Sequence, residues 1–237
     1  MLEVRNLAFA YGDRKVLRDV SFVVSPGEIV SVVGANGAGK TTLMRILANL
    51  LIPESGQILE DGFNAFTQPL RYRRQLGFLS ETPALYEDMR VKEFLKYRAI
   101  LKGEAGKRIR RRVSEVSELC RITDYLRTPI EQLSVGLKKR VAFADALLLR
   151  PRILILDDFL SGLDVSLRED AGELLSNAAA FSSVIITGHE LEELSRFSAR
   201  MLVLKDGVIA STLTASGVEE QEFVQRVLAA IKRRTDK

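Results

Sequence analysis

The sequence predicts an α/β fold in which an N-terminal antiparallel β subdomain leads into a core of alternating strands and helices, and an α-helical subdomain is inserted into that core. Three observations predict it. Apolar residues alternate with period two at Leu2, Val4, Leu7, Phe9 and Tyr11, and again at Val20, Phe22 and Val24, the pattern of antiparallel strands with one buried face. Short apolar runs then recur at Glu28–Val33, Ile153–Leu156, Val184–Thr187 and Met201–Leu204, mostly with helical sequence between them, which is the pattern of an α/β frame. From about Pro83 to Leu149 the periodicity turns helical throughout, so a helical segment interrupts the frame.

The elements follow in order. Gly12-Asp13 turns the first strand back, and Pro26-Gly27 closes the second. The strand Glu28–Val33 runs into the glycine-rich Gly34–Gly39, and a helix is expected over Lys40–Leu51, with Leu43, Ile46, Leu47 and Leu50 on its inner face and Pro53 marking its exit. Gln57–Glu60 reads as a strand ended by Asp61-Gly62. In the helical stretch, Val91, Phe94, Leu95, Ala99 and Leu101 form one stripe ending at Gly103, and Val113, Val116 and Leu119 form another. A third helix, Val135–Leu149, is stopped by Pro151. Val208–Ala210 is the last strand, and a final amphipathic helix through Phe223, Val224, Val227, Leu228 and Ile231 is expected to cap the core. The expected division is 1–82 with 148–212 as the core lobe, 83–147 as the helical lobe and 213–237 as the C-terminal helix.

Composition narrows the function classes. The chain has 237 residues, 35 Lys+Arg against 31 Asp+Glu, 46% hydrophobic and 28% charged residues, which excludes disordered and collagen-like classes and allows a full core with a cleft. The single cysteine, Cys120, excludes an internal disulfide framework and a Cys₄ zinc module, and is expected to be a small buried residue. A net charge of +4, no tryptophan and 7% aromatics offer neither the field nor the stacking platforms of a nucleic-acid binder. Met1–Arg5 carries no signal-peptide pattern, and the charge-free stretch Leu174–His189 is too short and too polar to span a bilayer. The chain is therefore expected to be soluble, with no anchor of its own.

Gly34-Ala35-Asn36-Gly37-Ala38-Gly39-Lys40-Thr41 fits G-x-x-x-x-G-K-[ST], between an expected strand and an expected helix. Glycines let backbone N–H groups turn inward around phosphate oxygens, and the helix that starts near Lys40 adds its positive end. Asn36, Gly37, Ala38, Gly39, Lys40, Thr41 and Thr42 are thus the candidate phosphate-binding set, with Lys40 as the cation for the β- and γ-phosphates and the Thr41 hydroxyl for Mg²⁺. The core is expected to be that of a P-loop NTPase (RecA-like). The motif alone leaves kinase, GTPase, helicase and transporter ATPase open. Downstream, Ile153-Leu154-Ile155-Leu156 ends in Asp157-Asp158. A strand beside the phosphate-loop strand would deliver Asp157 to the Mg²⁺ shell and leave Asp158 nearest the γ-phosphate, where an attacking water must be oriented or deprotonated.

Four further segments accompany these: Tyr11-Gly12, Leu133-Ser134-Val135-Gly136-Leu137-Lys138-Lys139-Arg140, Ser161-Gly162-Leu163-Asp164, and Thr187-Gly188-His189-Glu190. In this order the set resembles the ATP-binding cassette (ABC) ATPases, over Leu2 to about Ala210. The stretch Leu76–Leu95, with Glu81-Thr82-Pro83-Ala84-Leu85-Tyr86-Glu87, is similar to the bacterial exporter ATPases that serve ABC-2-type membrane subunits. The resemblance implies two cassettes, identical or homologous, paired head to tail around two ATP molecules. Tyr11 would stack on adenine, Ser134 and the Gly136 N–H would grip the γ-phosphate on the opposite subunit, Asp164 would cross the seam, His189 would touch the γ-phosphate, and Glu81 would meet Mg²⁺. It further implies a separate integral membrane permease subunit, and a peripheral place on the cytoplasmic face of the cell membrane. The alternatives are a non-transport ABC protein and an ATP-gated regulatory dimer with little hydrolysis.

The sequence departs from the family pattern where chemistry is expected. Asp158 and Phe159 stand where the family has Glu and usually Pro, Val135 and Leu137 replace a Gly and a Gln of the signature, and Glu81 stands where the family often has Gln. An Asp carboxylate falls short of a Glu by about 1 Å, a misplacement worth on the order of 10²-fold in rate. Phe159 is expected to leave the turn less restrained than Pro would, and Val135 to hinder close backbone approach. The expected enzyme is a slow ATPase. The basic run Lys107–Arg112 is expected to be a solvated helix face, with acidic headgroups or an acidic partner as the alternative reading.

Overall fold

The structure, a computed structural model, describes residues 1–161, 163 and 165–232, with the backbone alone at 165–167 and 169. Gly162, Asp164, Arg233 and Arg234 lie outside the described residues. The chain runs β1 (Leu2–Tyr11), β2 (Arg14–Val24), β3 (Ile29–Val33), α1 (Lys40–Leu47), β4 (Ser55–Glu60), β5 (Phe63–Asn64), α2 (Pro69–Arg74), β6 (Leu76–Leu79), α3 (Val91–Leu101), α4 (Lys107–Leu119), α5 (Val135–Leu147), β7 (Ile153–Leu156), α6 (Val165–Ala179), β8 (Ser183–Thr187), α7 (Leu191–Phe197), β9 (Arg200–Lys205), β10 (Val208–Thr214) and α8 (Glu220–Lys232).

Among the described residues the strands form one ten-stranded sheet, in the order β5-β4-β1-β2-β10-β9-β3-β8-β7-β6. Its two halves differ in kind. β1 pairs antiparallel with β2 and β4, whereas β3, β6, β7, β8 and β9 pair in parallel. The halves join where β10 meets β2, at Val208 opposite Asp19. In the parallel half, Val32 lies opposite Thr187, Leu156 opposite Ile186 and Leu79 opposite Leu156. The carboxyl ends of four strands therefore finish on one edge.

The apolar runs are continuous because both faces of these strands are covered. Val30, Val32, Ile153, Ile155, Ile185, Leu202 and Leu204 face a core shared with β1, β2 and α1. Their alternates, Val33, Leu154, Leu156, Val184, Ile186, Met201 and Val203, face a second core that continues through the helical region to Phe94, Phe143 and Phe223. Phe223 and Val227 of α8 close that core as expected, and Cys120 is fully buried in it.

Four expectations are corrected. The first helix ends at Leu47 rather than Leu51, because Asn49 takes a left-handed conformation (φ 55°) that terminates it; Leu50 then points outward, 62% exposed. The second strand begins at Arg14, well before Val20. The last strand continues to Thr214, because β9 pairs with it through Arg200 opposite Thr214. Leu101 is 56% exposed rather than part of the buried stripe. β6, absent from the sequence reading, is four residues long and contains Gly77, where an added Cβ would lie 2.4 Å from the Ala146 carbonyl oxygen. The missing side chain lets α5 lie directly on the strand.

α3 and α5 are fastened by charge. Arg98 Nε and Nη2 donate to the Asp145 carboxylate at 2.9–3.1 Å, and Lys102 Nζ lies 2.9 Å from Asp145 Oδ1. Asp145 is buried. Burial alone would push its carboxyl pKa up, but Lys102 and Arg98 overcome this and hold it below the ordinary carboxylate range. A carboxyl with a depressed pKa adds stability above its unfolded pKa and loses it as pH falls through the folded one. Asp145→Asn should therefore cost about 2–3 kcal/mol near neutrality, less than a fully buried pair because Arg98 stays partly exposed. In urea melts the gap to the parent should narrow below about pH 4. A gap that is constant with pH would remove the charge argument.

Candidate nucleotide-binding site

The phosphate loop leaves the end of β3, whose five residues are all buried, and enters α1. Gly37 and Gly39 hold φ of 78° and 103°. At Gly39 a side chain would be strained by that φ and would also meet Val16 Cγ1 at 3.0 Å. The first turn of α1 has no acidic residue, so its positive end is unopposed and faces the loop. Lys40 is buried, and its Nζ donates to the Gly34 and Ala35 carbonyls at 2.8 and 3.1 Å. Burial pushes its pKa down, while Asp158 and Asp157 pull it back up. A half-desolvated cation beside free backbone amides is a site built for anions.

The two acids leave β7 beside this loop. Asp157 is 3% exposed. Its Oδ1 accepts from Thr187 Oγ1 at 2.7 Å and lies 3.5 Å from Thr41 Oγ1. Thr187 Oγ1 also accepts from the Asp158 N–H at 2.9 Å, so one hydroxyl orders both acids. The donor set is oxygen only, as a hard cation requires. Among the described residues no group of three or more His, Cys, Asp or Glu could hold a metal ion. Thr41 and Asp157, with Glu81 nearby, would hold Mg²⁺, which would offset phosphate charge.

Asp158 adopts φ 51°, and its Oδ1 is buried without a hydrogen-bond partner among the described residues. The turn that follows is not loose. Phe159 is 3% exposed and packs on Phe143 of α5, with ring centroids 4.9 Å apart. Apolar packing restrains the turn where proline would do so by ring closure.

A cleft of about 490 Å³ gathers most of the remaining candidates: Tyr11, Asn36, Gly37, Gly39, Lys40, Thr41, Thr42, Glu81 and His189 all line it, with Arg14 and Val16. Tyr11 is half-exposed and its ring stands perpendicular to that of Phe9, with centroids 4.8 Å apart. His189 is exposed on the rim. Ala38 faces the other side of the loop, in a hollow shared with Arg14, Arg18 and Lys205. Ser134 and Gly136 do not line the cleft. Ser134 caps α5, its Oγ accepting from Leu137 N–H at 3.2 Å, and Gly136 follows in the first turn. Val135 is 69% exposed and lines a separate hollow of about 500 Å³ with Glu81, Lys138, Lys139 and Ser161. That exposure clears the β-branched side chain from the chain's own nucleotide cleft. Asp164 lies outside the described residues.

Sequence reasoning gave no role to Thr187, Arg14 or Lys139. Thr187 was findable as a hydroxyl ending the strand next to the acids, and Arg14 as a cation just past Tyr11. Lys139 looks like one more charge in Lys138-Lys139-Arg140, and nothing local marks it as buried.

Comparison with known proteins agrees with this geometry. The family model described as ABC transporter matches residues 17–161. The ABC transporter ATP-binding protein NatA of Bacillus subtilis (strain 168) is 33% identical over 198 residues, covering 82% of this chain and 80% of NatA. A spermidine/putrescine import ATP-binding protein, PotA of Nitrosospira multiformis, is 34% identical, covering 87% of this chain and 57% of PotA. Among solved structures, the ATP-binding subunit of an ABC transporter superposes with a TM-score of 0.85 at 29% identity, over 96% of this chain and 99% of that one. A dimeric bacterial ABC transporter cassette gives 0.81 at 26% identity, over 92% and 100%. The chain belongs to the ABC transporter family, as an ATP-binding subunit.

Proposed function

We propose that the chain is the ATP-hydrolysing subunit of an exporter, acting as a head-to-tail pair with itself or a homologue and driving a separate membrane subunit. One observation carries the paired site. Tyr11, the phosphate loop, Glu81 and His189 share a cleft with the acids behind it, while Ser134 and Gly136 sit on another element outside that cleft. In this reading the γ-phosphate grip comes from a second chain. Closure of the pair binds ATP more tightly than the open form and so moves the membrane subunit between two states. The Leu76–Leu95 stretch, with Glu81, favours export. The lobes divide at 83–147, the helical lobe carrying Ser134 to the partner.

A surface for the membrane subunit lies on the α2–α3 side. A groove of about 360 Å³ there is lined by Leu70, Leu76, Leu101, Arg73, Arg74 and Lys102. Leu70, Ile100 and Leu101 are 75%, 57% and 56% exposed, an apolar patch that a helical segment of a membrane subunit would cover. No helix among the described residues is long and apolar enough to cross a membrane. The basic run on α4 is largely spent within the chain, because Arg108, Arg111 and Arg112 pair with Glu104 and Glu115. This favours the apolar groove as the docking face, and in this reading the chain sits peripherally at the cytoplasmic side of the membrane.

Hydrolysis is slow in this reading because Asp158 is one methylene short. Lys40 and the loop amides hold the phosphates, Asp158 orients and deprotonates the water, and His189 steadies the γ-phosphate. Asp158→Asn should abolish MgATP turnover, and Asp158→Glu should raise it by about tenfold or more, as a carboxylate restored by about 1 Å predicts. Turnover unchanged by either variant would sink the role of Asp158 and favour a regulatory dimer. Leu70→Glu with Leu101→Glu should strip the chain from its membrane subunit during purification from native membranes while leaving ATP affinity within about twofold; retention would place the docking face elsewhere.

A further inference from the structure

Lys139 lies one turn into α5 and is 6% exposed, an unusual place for an ammonium. Its Nζ donates to the Asp158 carbonyl at 2.8 Å and also to the Ser161 carbonyl. Both acceptors belong to the turn that leaves β7. Three carboxylates act on this ammonium through their charge, Asp158 after β7, Glu190 after β8 and Glu81 after β6, and Glu81 lines the same hollow as Lys139. Its neighbour Lys138 is turned away and pairs with Glu87 at 2.6 Å. Lys139 is thus the cation on which acids from three strand ends converge.

Asp158 needs holding. Its left-handed backbone, φ 51°, is one that L residues seldom hold unless the surroundings enforce it, and the buried Oδ1 has no bond of its own among the described residues. Two contacts enforce it. Thr187 takes its N–H and Lys139 takes its carbonyl. With both ends of the residue fixed, the backbone that carries the carboxylate is held in place. Lys139 also stands on the helix capped by Ser134, so the same side chain joins the acid of one site to the segment expected to reach the other.

We propose that Lys139 is a positioning residue for hydrolysis, which pins the Asp158 carbonyl and the Ser161 carbonyl to α5 and offsets the charge of Asp158, Glu190 and Glu81. The proposal rests on the reading of Asp158 as the group that orients water. A neutral amide at this position could reach the carbonyls but would remove one of the charges that offset the carboxylates, leaving Lys40 near Asp158 and Arg168 at 3.8 Å from Glu190. A guanidinium keeps both the donors and the charge.

The test uses the full-length chain with Lys139→Met, Lys139→Gln and Lys139→Arg, alone and combined with Asp158→Asn. Trinitrophenyl-ATP titration should give affinities within about twofold of the parent for all three, because the phosphates are held by Lys40 and the loop. MgATP turnover should fall by about tenfold or more in Lys139→Met at unchanged KM, fall less in Lys139→Gln, and return to within about fivefold of the parent in Lys139→Arg. On the Asp158→Asn background, where no turnover remains to be lost, Lys139→Met should still quicken amide exchange at 158–161, because the carbonyl contacts do not need the carboxylate. Hydrogen exchange should quicken at the amides of 158–161 in Lys139→Met and stay as in the parent through α3 and α4. Turnover within about twofold of the parent in Lys139→Met, or exchange at 158–161 unchanged, would overturn the proposal. Faster exchange across the whole helical region without rescue by arginine would overturn it too, as a plain folding role. If the parent itself shows no turnover, the reading of Asp158 fails, and the exchange at 158–161 still decides whether Lys139 holds the turn.

Discussion

Parallel pairing of β6, β7, β8 and β3 is the constraint from which the site follows. The backbone ladder sets Leu79 beside Leu156, Leu156 beside Ile186 and Val32 beside Thr187. Whatever leaves each strand then emerges within reach of its neighbours: the segment before Glu81 from β6, the acids from β7, Thr187 and His189 from β8, the phosphate loop from β3. Ligands bind at the carboxyl edge of such sheets because this is where free backbone groups and side chains converge. The apolar residues that bury both faces of these strands hold the edge rigid, so short contacts such as Thr187 to Asp157 need no further scaffolding.

α5 carries that edge to the rest of the chain. At its start Lys139 is joined to the turn after β7, and Phe143 packs on Phe159 of the same turn. Near its end Asp145 is held by Arg98 and Lys102 of α3. α3 also bears the exposed Ile100 and Leu101. The exposed surface of α3 and the turn that bears the acids are thus joined by contacts to one helix. Packed elements of this kind move as units rather than deforming.

Sequence displayed some of this and concealed the rest, for physical reasons. The phosphate loop was legible because its backbone demands glycine at fixed places, Gly39 at φ 103° among them. The acids were legible because an apolar run that stops in two carboxylates has few other uses. The end of α1 was not, since Leu50 continues the apolar period and only the left-handed Asn49 breaks it. β6 was hidden by its length and by Gly77, whose reason for being glycine is a carbonyl on α5. Phe159 read as a lost proline, and its partner Phe143 is distant in sequence. Lys139 was the hardest, because burial of an ammonium leaves no local mark when charged residues flank it on both sides.

His189 has a practical consequence. It is the only histidine in the chain, it stands on the rim of the nucleotide cleft, and its ring is open to solvent. The molecule therefore carries a single native imidazole resonance, placed at the mouth of its cleft. Proton magnetic resonance can follow that one signal through nucleotide occupancy and pairing without a label, a substitution or an assignment problem.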